Sequence, residues 1–497
     1  MFSLTSKSEM LPIIVLVCLG AFSVTAQKDP HFVGDRSTIV HLFEWKWLDI
    51  AKECEEFLAP HGYGGVQISP PQECLVVANQ GRPWWERYQP TSYQIISRSG
   101  NEQEFQEMTR RCNNAGVRIY VDIIMNHMTG MSGNGIAGSS ADAGSKSYPS
   151  VPYGYNDFHQ SCSLNNYNDP NEVRNCELSG LKDLNQGSEY VRGKLVEYLN
   201  HLIDLGVAGF RVDAAKHMWP ADLSNIYGRT KNLNTQYGFP NNARAFVYQE
   251  VIDFGDGAVR REEYTGLGRV CEFRHGTSIG NVFQGHDKLT YLKNWGTGWG
   301  FMNSNDAVNF VENHDTQRDG DSRVLNYKNS KPYKMAIAFM LAHPYGQPKV
   351  MSGYDFNGHD QGPPQDGSGN LISPKFNGNS CVNGWICEHR WRQIYNMATF
   401  RATVKGTDLT NWWSNNDQQI AFCRGDKGFV AFTNGGDINQ DLNVCVPEGR
   451  YCDVISGEVS NGRCTGKVIE VRGGRAHIQL SSGEDDGVIA IHVNAKL

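Results

Sequence analysis

The chain has 497 residues, 39% hydrophobic and 20% charged, with a formal net charge of -7. That balance excludes a disordered chain and leaves length for a large core with satellite domains. No run of five like charges occurs, so neither a nucleic-acid partner nor a polybasic membrane patch is expected.

The first residues comprise a polar start with Lys7, an apolar core at 11–20 and the small residues Val24-Thr25-Ala26. They read as a signal peptide over 1–26, because the apolar core is shorter than the ~20 residues of a membrane span. The mature chain is expected to begin at Gln27 and to be secreted. Without Cys18, twelve of the 13 cysteines remain, an even number suited to disulfides in an oxidising compartment. Short spacings suggest pairs Cys162 with Cys176, Cys381 with Cys387, and Cys452 with Cys464, although sequence alone leaves connectivity open. Zinc is disfavoured because no Cys-x-x-Cys occurs.

From residue 38 onward short apolar runs alternate with amphipathic stretches, the mark of repeated βα units. Strands are expected at 38–43, 65–69, 118–124, 208–212, 246–249, 269–273, 308–311 and 348–351. Helices are expected at 102–115, with Phe105, Met108 and Cys112 on one face, and at 188–205, with Val191, Leu195, Leu199 and Leu202. Eight such strands suit a closed α/β barrel at 27–125 and 184–405. Between 126 and 183 the pattern gives way to Gly, Ser, Asn and Tyr, too long for an ordinary loop, and an inserted subdomain is expected there. After 405 short alternating runs replace the helices, giving an all-β sandwich domain at 406–497. Cys423 and Cys445 lie in neighbouring runs there and form a candidate pair.

Three of the expected strands lead into carboxylates: Asp213, Glu250 and Asp315. In a parallel barrel those ends meet at one mouth. Glycosidic cleavage needs an acid to protonate the leaving oxygen and a carboxylate on the opposite face of the sugar. The run Trp84-Trp85-Glu86-Arg87-Tyr88-Gln89 adds flat aromatic faces suited to sugar rings.

Four stretches occur in order: Asp122-Ile-Ile-Met-Asn126-His127, residues 209–217, Glu250, and Asn313-His314-Asp315. Through them the chain resembles the animal-type, chloride-dependent α-amylases of the (β/α)8-barrel glycoside hydrolases, from about residue 27 to the end. The resemblance implies a secreted, endo-acting, retaining hydrolase of internal α-1,4-glucosidic bonds in starch and glycogen, acting as a monomer. It implies Asp213 as nucleophile, held ionised by Arg211, Glu250 as general acid/base and Asp315 as transition-state stabiliser. Substrate contacts would come from Trp84, Trp85, Tyr88, Gln89, His127, Tyr153, Arg211, Lys216, His217 and His314.

The resemblance further implies structural calcium held by the side chains of Asn126 and Asp183 and the carbonyls of Arg174 and His217. Chloride would be held by Arg211, Asn313 and Lys349, the last standing where the family usually has arginine. Residues 316–323 lack the Gly-rich mobile loop of vertebrate members. Cys54 and Cys112 match a family disulfide, whereas Cys74 and Cys271 have no counterpart. A transglycosylase or exo-acting α-glucosidase is the nearest alternative, since the acids do not choose between water and sugar as acceptor. A non-catalytic glucan-binding protein would normally have lost an acid.

Overall fold

Eight parallel strands close a barrel in the computed structural model, which describes residues 27–497; the expected signal peptide lies outside them. Numbering only the barrel strands, these are β1 (Thr38–Leu42), β2 (Tyr63–Ile68), β3 (Arg118–Ile123) and β4 (Gly209–Val212). They continue as β5 (Phe246–Gln249), β6 (Arg269–Cys271), β7 (Ala307–Asn309) and β8 (Gln347–Ser352). Neighbours in sequence are neighbours in the sheet, and β1 closes on β8 with Ile39 opposite Lys349. Every residue of β1, β2, β3 and β8 is buried, as a parallel sheet covered on both faces requires.

Two strands end two residues earlier than expected. Residue 273 opens a helix, Phe273–Phe283, because the Glu272 side chain accepts from the Arg274 N–H and caps its first turn. β7 stops at Asn309, so Phe310 to Asp315 form a loop. Gly209 sets the spacing of β4 and β5: a Cβ there would lie 2.1 Å from the Phe246 carbonyl oxygen. Only glycine permits that approach, which brings the two acid-bearing strand ends together.

The helix Glu102–Asn114 starts at a capping box, with Asn101 accepting from the Glu104 N–H and the Glu104 side chain returning to the Asn101 N–H. Its Phe105, Met108 and Cys112 are buried, and Cys112 is disulfide-bonded to Cys54. The helix Glu189–Asp204 buries Val191, Leu195, Leu199 and Leu202. Between β3 and that helix the insertion folds on short pairings, among them Lys182–Asp183 against His127–Met128, and carries the Cys162–Cys176 disulfide.

Beyond the barrel, Leu409–Ser414, Gln419–Arg424, Gly428–Thr433 and Val488–His492 form a four-stranded sheet. A second hydrophobic core lies between it and the hairpins that follow, where Arg475–Leu480 alternates exposed and buried residues. Disulfides Cys381–Cys387, Cys423–Cys445 and Cys452–Cys464 are present as expected. Cys74 and Cys271 are buried free thiols, so the even cysteine count does not translate into six bridges. Among the described residues no helix is long and apolar enough to cross a membrane.

Candidate active site

Arg211 organises the barrel mouth. Its Nη1 donates to Asp213 Oδ1 at 2.7 Å and to Asp122 Oδ1 at 2.8 Å, while Nη2 lies 2.7 Å from Glu250 Oε1. Arg211 lies in β4 and Asp213 just beyond its end, and the end of β5 brings Glu250 beside them. A second link fixes Glu250: its Oε2 accepts from the Ala214 N–H at 2.7 Å. Ala214 has φ 48°, in the left-handed region that costs an alanine energy, so the turn after Asp213 is strained in order to aim that N–H. Asp315 arrives on the loop after β7, where Asn313 Oδ1 accepts from the N–H groups of Asp315 and Thr316 at 3.0 and 2.8 Å.

These acids open into a cavity of about 600 Å³. Trp84, Trp85 and Tyr88 form one wall, with Trp84 Nε1 donating to the His359 carbonyl at 2.9 Å. Tyr167, Leu178 and Leu181 enter from the insertion, and Ile252 and Phe254 from the loop after β5. Lys216 donates to the Ile252 carbonyl at 2.6 Å, with its ammonium 5.1 Å from the Tyr167 ring centre. His127 and His217 have pKa values pushed down to about 4 by burial, so both are neutral hydrogen-bonding groups near pH 7. His314 is likewise lowered, with its Nε2 3.3 Å from Asp315 Oδ2.

Burial and the Arg211 guanidinium act on Asp213 in opposite senses. Burial raises Asp213 well above the usual carboxylate range, and the Glu250 and Asp122 carboxylates add to the rise that Arg211 opposes. Asp122 is also raised by burial, and Asp315 is pushed up to about 7, first by burial and then by Glu250. One guanidinium thus serves three carboxylates, drawing Asp122, Asp213 and Glu250 together at the barrel mouth.

Tyr153 does not reach the cavity. It is 3% exposed and packs against Tyr93 and Phe158, while Tyr167, also on the insertion, takes the wall position. Gln89 is turned away, its Oε1 accepting from Thr129 Oγ1 and the Gly130 N–H at 2.7 and 3.0 Å. Arg211 lies behind the acids rather than on the wall, as do Asn313 and Lys349. Sequence reasoning also passed over Asp122 as a site residue, although it opens one of the motifs; its carboxylate accepts from Arg211 and from Tyr88 Oη at 2.8 Å.

Asn126 and Asp183 meet where the insertion leaves the barrel: the Leu184 N–H donates to the Asn126 carbonyl at 2.9 Å. Both Oδ1 atoms are buried without a hydrogen-bond partner. Two unpartnered oxygens, one on a carboxyl, suit a hard cation that takes oxygen ligands. Arg174 and His217, whose carbonyls are the other expected ligands, lie near each other, with His217 Nδ1 2.9 Å from the Val173 carbonyl. Arg211 and Lys349 are buried cations of the barrel interior, Lys349 donating to Gln67 Oε1 at 2.9 Å. Asn313 directs its oxygen to the backbone and leaves its NH2 as a donor, so this second set suits an anion.

A closed parallel barrel with carboxylates gathered at its C-terminal mouth and an aromatic wall beside them defines a carbohydrate-cleaving barrel enzyme. The family model for the α-amylase catalytic domain matches residues 83–253, and that for the α-amylase C-terminal all-beta domain matches 412–494. The α-amylase of Tenebrio molitor is 65% identical over 95% of this chain and 100% of its own length. That of Tribolium castaneum is 62% identical over 98% and 99%. An α-amylase-related protein of Drosophila auraria is 57% identical over 97% and 98%. The crystal structure of α-amylase I from the earthworm Eisenia fetida superposes with a TM-score of 0.90 at 45% identity, covering 95% of this chain and 100% of that one. The chain belongs to the α-amylase family of glycoside hydrolases, and is an α-amylase of the animal type.

Proposed function

We propose that this enzyme is secreted and cleaves internal α-1,4-glucosidic bonds of starch and glycogen with retention of configuration, releasing maltooligosaccharides. The observation that carries the reading is the single Arg211 guanidinium bonded to both Asp213 and Glu250, with Asp315 on the same cavity. Support for the substrate comes from the earthworm enzyme, of which a glutamate-to-glutamine mutant forms a complex with maltohexaose.

In the first step an Asp213 oxygen attacks the anomeric carbon. The bond to the leaving oxygen breaks as Glu250 gives that oxygen its proton. In the second step Glu250, now a carboxylate, takes a proton from water as the water oxygen displaces Asp213 from the same carbon. Asp315 supports the oxocarbenium-like transition states and hydrogen-bonds sugar hydroxyls. Trp84, Trp85, Tyr88 and Tyr167 supply apolar faces for the rings, and His127, Lys216, His217 and His314 supply hydrogen bonds.

Residues 1–26 act as the signal peptide. The barrel is assigned to 27–125 and 184–405, the insertion to 126–183 and the C-terminal domain to 406–497. Asn126 and Asp183, with the carbonyls of Arg174 and His217, would hold calcium, which supplies a structural cross-link between barrel and insertion. Arg211, Asn313 and Lys349 would hold chloride, an anion that balances buried positive charge beside the acids. Lysine there offers a point charge rather than a guanidinium fork, so halide affinity should differ from that of arginine-bearing members. The enzyme acts as a monomer.

The test is Glu250→Gln. Loss of the acid should lower kcat by about 10²–10⁴-fold while maltohexaose still binds. Near-normal turnover would refute the assignment.

A further inference from the structure

Arg318 stands behind the cavity wall, 7% exposed and not itself lining the cavity. Its Nη1 donates to the His314 carbonyl at 2.8 Å, and its own backbone N–H donates to the Asp315 carbonyl at 2.8 Å. The guanidinium carbon lies 5.7 Å from the Trp84 ring centre, 5.5 Å from Phe43, 5.2 Å from Tyr354 and 4.2 Å from Phe356. These rings also touch one another: Phe43 stacks on His314 at 5.1 Å, and Trp84 meets His314 edge-on at 5.4 Å.

The side-chain Nε and Nη2 are buried without an acceptor. A desolvated cation with unmet donors is costly, and the aromatic faces around it offset part of that cost. What the arrangement yields is geometric: one planar group lies over the Trp84 ring of the stacking wall and bonds to the segment carrying the third acid. No other described side chain donates to the His314 carbonyl.

We propose that Arg318 is a positioning residue for glucan hydrolysis, locking Trp84 and the His314–Asp315 segment into one unit so that the bound ring and the third acid keep a fixed relation. This rests on the roles given above to Trp84 and Asp315. Lysine would preserve the charge but neither the planar stack nor the directed hydrogen bond.

The experiment compares Arg318→Lys, Trp84→Ala and their double variant on maltohexaose, measuring kcat, KM and Tm. Arg318→Lys should fold with Tm within a few degrees of the parent. Its kcat should fall about tenfold and its KM rise about threefold, the scale expected when a reacting group is displaced by a fraction of an ångström. The double variant should show no greater KM than Trp84→Ala alone, because Arg318 would act on binding through that tryptophan. Arg318→Lys with both constants within about twofold of the parent, or KM effects that multiply in the double variant, would overturn the inference. Should Arg318→Lys lose several degrees of Tm, purified folded enzyme assayed well below its Tm carries the same comparison. Glu250→Gln separates the two claims: if it stays active the site reading fails, and if it is dead while Arg318→Lys is fully active only the inference on Arg318 fails.

Discussion

The Ala214 N–H donates to Glu250 Oε2 at 2.7 Å, tying the residue after one acid to the carboxyl of the next. Because Ala214 holds φ 48° to do so, the link between the β4 and β5 ends is stored as backbone strain. A β-branched side chain tolerates that conformation poorly. Ala214→Val is therefore expected to cost about 1–3 kcal/mol of stability and to lower kcat more than it changes KM. Chemical denaturation and steady-state kinetics check this; an unchanged kcat would show that the link does not aim Glu250.

If the unpartnered Oδ1 atoms of Asn126 and Asp183 hold the proposed calcium, the joint between barrel and insertion depends on it. Excess chelator should lower Tm, by the equivalent of about 2–4 kcal/mol for a ligand held well above its Kd. Asp183→Asn should lower the Tm of the calcium-loaded enzyme and reduce the further loss on chelation. Thermal melts with and without calcium read both effects, and identical melts would remove the site.

Glu388 is wholly buried beneath the loop after β8, accepting from the Gly353 N–H at 2.9 Å. Burial pushes its pKa from 4.5 up to about 7. The folded protein thus binds this proton more tightly than the unfolded chain, so stability falls as pH rises from about 4.5 to about 7 and is flat above. The contribution is about 3 kcal/mol by linkage. Glu388→Gln should flatten that part of the stability profile and leave the variant more stable than the parent at pH 8. Denaturation midpoints across pH decide it; parallel profiles would contradict it.

The barrel was legible because its strands are buried on both faces and so read as apolar runs; β1 and β8 show no exposed residue. The three acids were legible because each directly follows or lies just beyond such a run. Tyr167 was not, since it shares a polar, aperiodic insertion with Tyr153 and nothing local says which ring turns inward. Asp122 lay hidden inside an apolar strand, where only its partner Arg211 on β4 reveals its place in the site. The even count left the pairing of Cys74 and Cys271 open, because parity says nothing of distance. Helix starts such as that at Glu272 depend on a side chain bonding to the backbone two residues on, a signal too short to stand out in an apolar run.

Asp213 is assigned the bond to the sugar, and Glu250 the proton transfers. A fluorinated maltosyl fluoride that forms but slowly loses its glycosyl-enzyme would trap the first step, and peptide mass spectrometry would locate the adduct. One maltosyl mass is expected on the peptide carrying Asp213, with the α-anomer as first product of normal turnover. A label on Glu250 or Asp315, or the β-anomer appearing first, would contradict it.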